Sequence, residues 1–451
     1  MQELIISTKP KKEESKDFSF KKYAWKQFKK NKPAYYSYKI LLLLIVIAIV
    51  APFIATDQPL YCKYKGVNMF PAFSFSNRCE IKDDAGNVEI IQYDIADWKH
   101  MDASSIIFAP VAYAASKTDY DNADYVSPGG DQKFIDKEGN TVEMPLKFKH
   151  WLGTNKAGED VLSGLINGTR VSLTIGILSM SIASFIGIIL GAMAGYFGDK
   201  KLKTSRGSFW TMVLGVVIAY YYAFSVRSYA IADGFAASSF AVLIQILISL
   251  AIFILVLFLF YHLGKRIGRI SFLSAQVHIP VDSVISRVIE ILISMPLLIL
   301  IISISAITKE KSMSNIMVII GLTTWTGIAR LTRAEFLRIS NLEYIQAAKS
   351  MGFQEYRIIL KHALPNALAP ALVAIAFGVA SAILIESSLS FLGIGVPPTT
   401  VTWGSLLNAG SEQFSAWWLV IFPGLAIFLT VTIYSLLGEG LRDALDPRLK
   451  K

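Results

Sequence analysis

The residues most suited to contacting a partner protein lie in a polar loop at 341–365, between two apolar runs. Its first half is predicted to be a short helix with a small, smooth stripe formed by Ala347, Ala348 and Met351. Gly352 then predicts a turn, because glycine costs up to about 1 kcal/mol in a helix interior. A helix–turn–helix with a small-residue face suits docking into a groove on a partner, although the same spacing also fits a helix on the membrane surface.

The two ends of this loop carry further signals. Asn341 can cap the first helix through its side chain. Ile358, Ile359 and Leu364 give the second helical piece an apolar side. Pro365 is expected to end the loop before the next apolar run begins.

Ionisable side chains inside the apolar runs are few, and each is a candidate site because charge is costly within a membrane. Glu386 lies late in the run 367–393. Its carboxylate either faces a water-filled substrate path or supports packing near the outer surface. Arg287 and Glu290 are three residues apart near the cytoplasmic end of a span, which predicts either an intrahelical ion pair or side chains that extend to the membrane interface. The scarcity of such residues argues against a proton-coupled carrier.

Residues that could catalyse a reaction are sparse. The chain has five His, no G-x-x-x-x-G-K-[ST] loop to cradle phosphates, and no convincing Ser/His/Asp or Cys/His group. Its two cysteines, Cys62 and Cys79, form a disulfide if their sulfurs meet in an oxidising compartment, and the sequence leaves that open. No C-x-x-C or Cys/His cluster suggests a metal site. We expect a chain that is not an enzyme and binds no metal or cofactor itself.

Long apolar runs hold these residues in place and indicate a membrane protein. Hydrophobic residues make up 53% of the 451 and charged residues only 17%, whereas soluble domains carry about 25% charged residues. Residues 1–39 contain eleven Lys and four acids, while 56–160 contain 17 acids against 11 Lys or Arg. This alternation fits the positive-inside rule and contact with anionic lipid, and it argues against a nucleic-acid partner.

Eight apolar runs are candidate transmembrane helices, which need about 20 residues each. They are 40–55, 170–197, 209–230, 238–263, 284–307, 314–333, 367–393 and 416–438. An even number returns the C-terminus to the side of the basic N-terminal arm, so both termini are expected in the cytoplasm. The predicted fold class is an all-α membrane protein, a polytopic helical bundle of about eight spans.

The predicted domains follow from these runs. They are a basic cytoplasmic arm at 1–39, a first span at 40–55, a small extracytoplasmic domain at 56–165, and a transmembrane domain at 166–451. Within the last, a helical hairpin is predicted at about 205–268, with a short linker containing Asp233 and Gly234.

A glycine stripe occupies one face of the second predicted span. Gly187, Gly191 and Gly195 recur at four-residue spacing, which places them on one side of a helix. Small residues let membrane helices approach closely, so the stripe predicts a packing surface.

The 341–365 loop resembles the EAA motif of ABC importer permeases. The residues that match the motif in QAAKSMGFQEYRIILKHALP are Ala347, Ala348, Gly352, Leu364 and Pro365. Gln346 replaces the usual Glu, and His362 stands where the generic pattern has Ile. The form HALPN, ending at Asn366, is similar to the dipeptide, oligopeptide and nickel branch of the family.

The resemblance covers about 150–198 and 284–451. It is carried also by HWLGTNKAGEDVLSGLINGTRVSLTIG, ESSLSFLGIGVPPTTVTWGSLL and WWLVIFPGLAIFLTVTIYSLLGEGLRDALDPRL. The segments ATDQPLYCKYKG and RAEFLRISNLEYIQAAKSMG resemble permeases of the microcin C and peptide uptake subgroup. Family members usually have six spans, so the extra hairpin and the large domain at 56–150 are departures from the pattern.

The resemblance implies a multi-pass permease of the bacterial inner membrane. In such importers two homologous permease subunits form one path, two P-loop ATPases beneath them bind ATP and Mg, and an extracytoplasmic binding protein delivers substrate. The EAA loop acts as a coupling helix in a groove on the ATPase. The coupling residues carried over are Tyr344, Gln346, Ala347, Ala348 and Gly352, with Leu364 and Pro365 fixing the loop to the next span.

The substrate class also comes from the resemblance alone. It implies di- or oligopeptides or peptide-like compounds, although members of the branch also move nickel complexes, opines and antibiotic peptides. Two alternatives remain: an ion- or proton-coupled secondary carrier, and a membrane-anchored sensor with 56–165 as its ligand domain. ATP-dependent uptake would separate the carrier from the importer, and deletion of that domain would test the sensor.

Overall fold

Helices dominate the computed structural model, which describes residues 20–445 except 75, 83–87, 137, 238 and 308–311. The α-helices in this part of the chain are α1 (Phe20–Lys30), α2 (Lys32–Ile54), α3 (Val161–Phe197), α4 (Arg206–Tyr220), α5 (Ser228–Ala237), α6 (Ser239–Ile267), α7 (Val281–Ser294), α8 (Leu297–Ile307), α9 (Met313–Ile339), α10 (Glu343–Ser350), α11 (Glu355–Arg357), α12 (Leu364–Phe391), α13 (Trp403–Ser411) and α14 (Trp418–Leu445). Residues 1–19, the first part of the predicted basic arm, and the tail at 446–451 lie outside the described residues.

Six helical segments within the described residues are long and apolar enough to cross a membrane, or seven if one bent pair counts as a single span. The six are Lys32–Ile54, Val161–Phe197, Arg206–Ser225, Ile244–Ile267, Glu355–Phe391 and Trp418–Leu445. The predicted class, a polytopic helical membrane protein, is therefore confirmed. The predicted number of eight spans is not. Two of the eight predicted runs, 284–307 and 314–333, differ from the expectation for separate reasons.

The run 284–307 is not one straight helix. It forms α7 and α8, which meet at an angle of 91°. The break falls at Met295, whose backbone is extended, directly before Pro296. Proline disfavours helical backbone in the residue before it, which accounts for the position of the bend.

The run 314–333 forms α9, which lacks the apolar character of the other candidate spans. It contains Thr323, Thr324, Thr326 and Arg330. Much of α9 is buried against α3, its most extensive helix partner. A helix shielded from lipid by other helices can carry polar residues, so hydropathy alone does not identify it.

The glycine stripe of α3 makes this close pairing with α9 possible, which confirms the predicted packing surface. A Cβ atom at Gly187 would lie 2.8 Å from the carbonyl oxygen of Trp325, and one at Gly191 would lie 2.5 Å from that of Ala329. A Cβ atom at Gly195 would be equally close to the carbonyl oxygen of Arg333. Any side chain at these positions would push the two helices apart.

The inserted hairpin consists of α4 and α6, joined at its far end by a short π-helical turn at Tyr221–Ser225 and by α5. Two antiparallel strands close its base. They are β8 (Lys203–Ser205) and β9 (Gln276–His278), and strands β1 to β7 lie earlier in the chain. Asp233 and Gly234, predicted to lie in a linker, are within α5 instead. Helical hydrogen bonding continues through this stretch, so the turn of the hairpin is longer than expected.

The N-terminal helices lie against the end of α14. Asn31 caps α2 by accepting a hydrogen bond from the backbone of Ala34, and its side-chain amide donates to Asp443 at 3.0 Å. The first apolar helix therefore begins at Lys32, eight residues before the predicted start. These contacts bring the two ends of the described chain together.

Residues 56–160, here called the polar domain, connect α2 to α3. Its strands are β1 (Tyr61–Tyr64), β2 (Val67–Met69), β3 (Arg78–Lys82), β4 (Val88–Gln92), β5 (Ser105–Ile107), β6 (Lys133–Ile135) and β7 (Thr141–Glu143). They form one three-stranded antiparallel sheet, β2-β1-β5, and two hairpins, β3-β4 and β6-β7.

The disulfide that the sequence left open is not formed. Cys62 and Cys79 are both free thiols. Cys62 lies on β1 and pairs with Met69 and Ile106, whereas Cys79 lies on β3 in a different sheet. Both side chains pack in the same small hydrophobic cluster, so they serve as apolar residues here.

A buried histidine joins the polar domain to the start of α3. His150 is fully buried, with its Nδ1 atom 2.9 Å from Asp160 Oδ2 and its Nε2 atom 3.2 Å from Asp119 Oδ2. Asp160 also caps α3 by accepting a hydrogen bond from the backbone N–H of Ser163 at 2.6 Å. Because each ring nitrogen faces a carboxylate, both must donate, and this requires the charged imidazolium.

The surroundings of His150 favour that charge. Burial on its own would lower the pKa of His150, but the hydrogen bonds to the two carboxylates outweigh it and raise the pKa. Burial would raise the pKa of Asp119, yet His150 and the Lys99 ammonium lower it to about 2. The Tyr113 ring stacks on the imidazole at 4.0 Å, and its hydroxyl donates to the carbonyl of Phe148 at 2.6 Å.

Replacing His150 by Gln is predicted to destabilise the protein by about 3–5 kcal/mol near pH 5.5, because a buried carboxylate pair loses its cation. The raised pKa means that the contribution of His150 is complete below about pH 6.5 and is lost as pH rises through the raised value. Because the pKa of Asp119 is lowered, this carboxylate stays charged and the stabilising contribution of His150 persists down to about pH 4. Thermal unfolding of the purified chain and of His150→Gln should therefore differ most at pH 5.5 and least at pH 9.

His262→Gln on the hairpin provides the control, since that ring contacts the aromatic rings of Phe258 and Tyr261. Its effect on the unfolding temperature should be smaller than that of His150→Gln at pH 5.5, because only ring contacts are lost. An equally large effect of His150→Gln at pH 5.5 and pH 9 would contradict the imidazolium assignment.

Candidate functional site

The 341–365 loop packs one face onto the ends of α3 and α9. The buried residues of this cluster, here called the loop seat, are Ala192, Tyr196, Phe336, Ile339, Ile345, Ala348, Ile358, Ala363 and Ala367. They come from α3, α9, the loop and α12 together. The loop is therefore a packed part of the helical bundle rather than a free connection.

The turn inside the loop is formed as the sequence predicts. Gly352 has φ +78°, a left-handed backbone that suits glycine. The N–H of Phe353 donates to the carbonyl of Ala348 at 3.2 Å, and that of Gly352 donates to Lys349 at 2.9 Å. These two bonds are the Schellman arrangement that ends a helix and satisfies its last carbonyl groups.

The start of the loop differs from the expectation at Asn341. Its side-chain amide donates to the carbonyl of Leu337 at 3.1 Å, so it closes the end of α9 and does not cap α10. Leu342 holds the cap position of α10 without a side-chain hydrogen bond. Gln346, a predicted coupling residue, folds back and donates to the carbonyl of Ser340 at 2.9 Å. This bond fixes α10 against the end of α9.

The end of the loop also differs, because Pro365 does not stop a helix. The helical path is continuous from Glu355 to Phe391, through a π-helical turn at Ile358–Ala363. Pro365 is the second residue of α12, and the wider turn before it accommodates a residue that has no N–H to donate. Leu364 packs beside the loop seat, so it links loop and span as predicted, within one helix.

The outer face of the loop presents apolar and small side chains to the surroundings. Tyr344, Ala347 and Gly352 are exposed, as are Met351 at 66% and Tyr356 at 64%. Exposed apolar side chains gathered on one short segment make it a candidate interaction surface. The face that a partner could touch is thus defined by these five residues, here called the outer face.

Ala348 does not belong to that face, and its predicted contact with a partner is corrected. It is 3% exposed and packs into the loop seat. One residue advances a helix by about 100°. The side chains of Ala347 and Ala348 therefore point about 100° apart, and of the two only Ala347 is exposed and available for docking.

A polar cluster ties the loop to the end of α3. The Tyr196 hydroxyl donates a short hydrogen bond to the Glu355 carboxylate. The ammonium groups of Lys201 and Lys349 lie 4.6 and 5.1 Å from the centroid of the Tyr196 ring. Burial and the charge of Lys349 lower the pKa of Lys201, while Glu355 acts in the opposite direction. The sequence analysis missed this cluster, although Tyr196 directly follows the glycine stripe.

A second polar cluster joins the same ends of α3 and α9 to α7. The Arg333 guanidinium makes a two-bond ion pair with Asp282, and the NH2–Oδ2 distance is 2.7 Å. Asp199 accepts hydrogen bonds from the backbone and the hydroxyl of Ser283 at 2.9 and 2.6 Å. The three helices and the loop are therefore held as one unit at this end.

Comparison with known proteins identifies the family. Residues 267–451 match the family described as "Binding-protein-dependent transport system inner membrane component", and residues 19–66 match "N-terminal TM domain of oligopeptide transport permease C". The glutathione transport system permease protein of Pectobacterium atrosepticum is 30% identical over 329 residues, which are 73% of this chain and 82% of that protein.

The chain belongs to the binding-protein-dependent ABC permeases. It is a multi-pass protein of the inner membrane. Two further relatives match along almost their whole length. The inner membrane ABC transporter permease of Escherichia coli is 27% identical over 94% of this chain and 96% of its own, and the peptidoglycan transport system permease of Agrobacterium fabrum is 27% identical over 95% and 93%.

Glu386 of this permease is buried and does not face an open path within the chain. Its carboxylate accepts hydrogen bonds from Ser172 on α3 at 3.0 Å and from Ser390 at 2.8 Å. The geometry favours the packing alternative over the predicted path role. Arg287 and Glu290 form the predicted intrahelical ion pair at 2.7 Å and are exposed.

Tyr196→Phe is predicted to loosen the loop of the permease without unfolding it. The phenyl ring keeps the packing, whereas the hydrogen bond to the Glu355 carboxylate, about 1.5–3 kcal/mol, is lost. Amide hydrogen exchange in residues 343–357 should become about tenfold faster or more.

Tyr434→Phe on α14 is the matched control, because the Tyr434 side chain is also largely buried and its hydroxyl makes no hydrogen bond to any described residue. It should leave exchange in the loop unchanged. Equal exchange in the parent and Tyr196→Phe proteins would show that the hydroxyl does not hold the loop.

Proposed function

We propose that this permease forms half of the translocation path of an ATP-driven importer and is moved by separate ATPase subunits through the 341–365 loop. The observation that carries the proposal is the two-sided character of the loop. Its inner face is sealed into the loop seat, and its outer face exposes small and apolar side chains. A rigidly held, exposed patch suits a partner that pushes or pulls on the bundle.

The transported compounds are proposed to be peptides or peptide-like molecules. The relatives carry names for the transport of glutathione, dipeptides and peptidoglycan. Specificity in such a system is proposed to reside largely in an extracytoplasmic binding protein. The second permease, the two ATPases with their ATP and Mg, and that binding protein are the partners we propose.

The proposed topology places the loop and both termini in the cytoplasm and the polar domain outside. The contact of Asn31 with Asp443 supports termini on one side. The basic residues Lys201, Arg333 and Lys349 lie near the loop, which supports a cytoplasmic side by the positive-inside rule. The polar domain then faces the arriving substrate.

The proposed mechanism is a shift between inward-facing and outward-facing states. ATP binding would bring the two ATPases together, and each would carry its docked loop with it. Because α12 is helically continuous with α11, and Tyr196 ties Glu355 to α3, displacement of the loop tilts these helices together. ATPase binding can shift the equilibrium between the two states only by the difference in its affinity for them.

Ala347→Glu is predicted to leave the amount of permease in the membrane unchanged and to reduce ATP-dependent peptide uptake by about tenfold or more. Ala347 is exposed on the outer face, so a carboxylate there is solvated in the free chain and must be buried unpaired on docking. Uptake of a labelled dipeptide by cells, with membrane levels checked by immunoblot, measures both quantities.

Ala347→Ser is the conservative control and should keep uptake, because the hydroxyl adds little volume and no charge. Ala348→Glu should instead lower the amount of folded permease, since its carboxylate would enter the loop seat. Normal uptake by Ala347→Glu would rule out docking at this face, and uptake that needs no ATP would favour a secondary carrier.

A further inference from the structure

A recess of about 500 Å³ lies between α3, α9 and α12. Its walls include Met180, Gly327, Arg330, Ala374, Gly378 and Ser381. Most of this surface is apolar, and the volume falls in the range of sites for small organic ligands, about 300–1,000 Å³.

Small residues keep the recess open. A Cβ atom at Gly327 would meet nothing within 4 Å, so the space beside it is empty of protein. At Gly378 a Cβ would collide with the methyl end of Met180, which lies across that glycine. Gly327 therefore leaves open space, and Gly378 leaves room for the Met180 side chain that forms part of the wall.

Ser381 presents an unused hydroxyl to this space. Other hydroxyls near the recess and on the same helix donate to the carbonyl four residues earlier, as Thr324 does to Ile320 at 2.7 Å and Ser388 does to Leu384 at 2.8 Å. Ser381 makes no hydrogen bond to any described residue. A hydroxyl within a membrane usually satisfies itself on the backbone, so this one is available to a ligand.

Arg330 presents an unpaired cation to the same space. The other two arginines of α9 are paired, Arg333 with Asp282 and Arg338 with Glu335. Arg330 has no ion pair or hydrogen bond with the described residues. It lies nine residues before the end of α9, about 13 Å along the helix. An ionisable residue within a membrane domain is a candidate functional residue, because charge is costly in lipid.

We infer that this recess binds the carboxylate end of a transported peptide, with Arg330 on the carboxylate, Ser381 on a neighbouring polar group, and the terminal side chain against Met180 and Ala374. The planar guanidinium fork matches a carboxylate with two parallel hydrogen bonds. The apolar wall accepts an uncharged side chain and gives no partner for a second charge. The inference rests on the proposed function and names its substrate class: peptides with a free C-terminal carboxylate.

The test compares ATP-dependent uptake of two labelled probes by the assembled transporter. One is a tripeptide with a free carboxylate and an apolar C-terminal residue, and the other is its C-terminal amide. Arg330→Gln should reduce uptake of the free acid by about tenfold or more and change uptake of the amide by less than about twofold. Ser381→Ala should reduce both by a smaller factor.

Filling the cavity gives an independent test with a matched control. Gly327→Val places a side chain in the open space of the recess and should reduce uptake of both probes by about tenfold, because the ligand is excluded. Gly424→Val on α14 also meets nothing within 4 Å and is equally partly buried, and it should keep normal uptake. Membrane levels of all variants are measured alongside.

The outcomes separate this inference from the proposed function. An unchanged ratio of acid to amide uptake in Arg330→Gln, with transport otherwise intact, would overturn the carboxylate site and leave the importer standing. Equal loss of both probes in Arg330→Gln would assign the arginine to lipid head groups or to folding, and would also overturn it. No ATP-dependent uptake of either probe by the parent transporter would overturn the proposed function and this inference together.

Discussion

The close approach of α3 and α9 is the contact on which the rest of the permease depends. Three glycines on α3 let its backbone lie directly against the carbonyl groups of α9. This places Tyr196 and Phe336, each near the end of its helix, side by side beneath the 341–365 loop. The same pairing brings Asp199 and Arg333 to Ser283 and Asp282 at the start of α7. Without it there would be no common surface for the loop to pack upon.

This arrangement gives a physical basis for moving several helices at once. The loop has few degrees of freedom of its own, because one face is buried, its turn is closed by backbone hydrogen bonds, and its last helix runs unbroken into α12. A force on the outer face therefore reaches α3, α9 and α12 together. These are the helices that surround the recess at Arg330, so the proposed driving site and the proposed ligand site share the same moving parts. Packed cores and polar clusters of this kind change between discrete arrangements, as an alternating-access cycle requires.

Sequence patterns predicted the features that local chemistry controls. Gly352 was expected to make the turn and has the left-handed backbone that glycine allows, and the α3 stripe was expected to be a packing surface. Sequence patterns could not predict the features that depend on the three-dimensional surroundings of a residue. The side of α10 that faces inward, which separates Ala347 from Ala348, depends on where α3 ends. The burial of Glu386 and the shielding of the polar helix α9 depend likewise on residues far away in the chain. His150 was within a quoted motif, but only the fold brings Asp119 to its second nitrogen.

The central claim is that the outer face of the loop touches an ATPase, and site-specific photo-cross-linking tests it most directly. A photo-reactive amino acid would replace Ala347 in the full-length permease, expressed with its native partners, and adducts would be identified by mass spectrometry. The same residue in place of Trp210, exposed on the hairpin, serves as the comparison. The account predicts an adduct with a P-loop ATPase from position 347 and none from position 210. Adducts with lipid alone at position 347 would contradict it and would make the loop a membrane-surface helix.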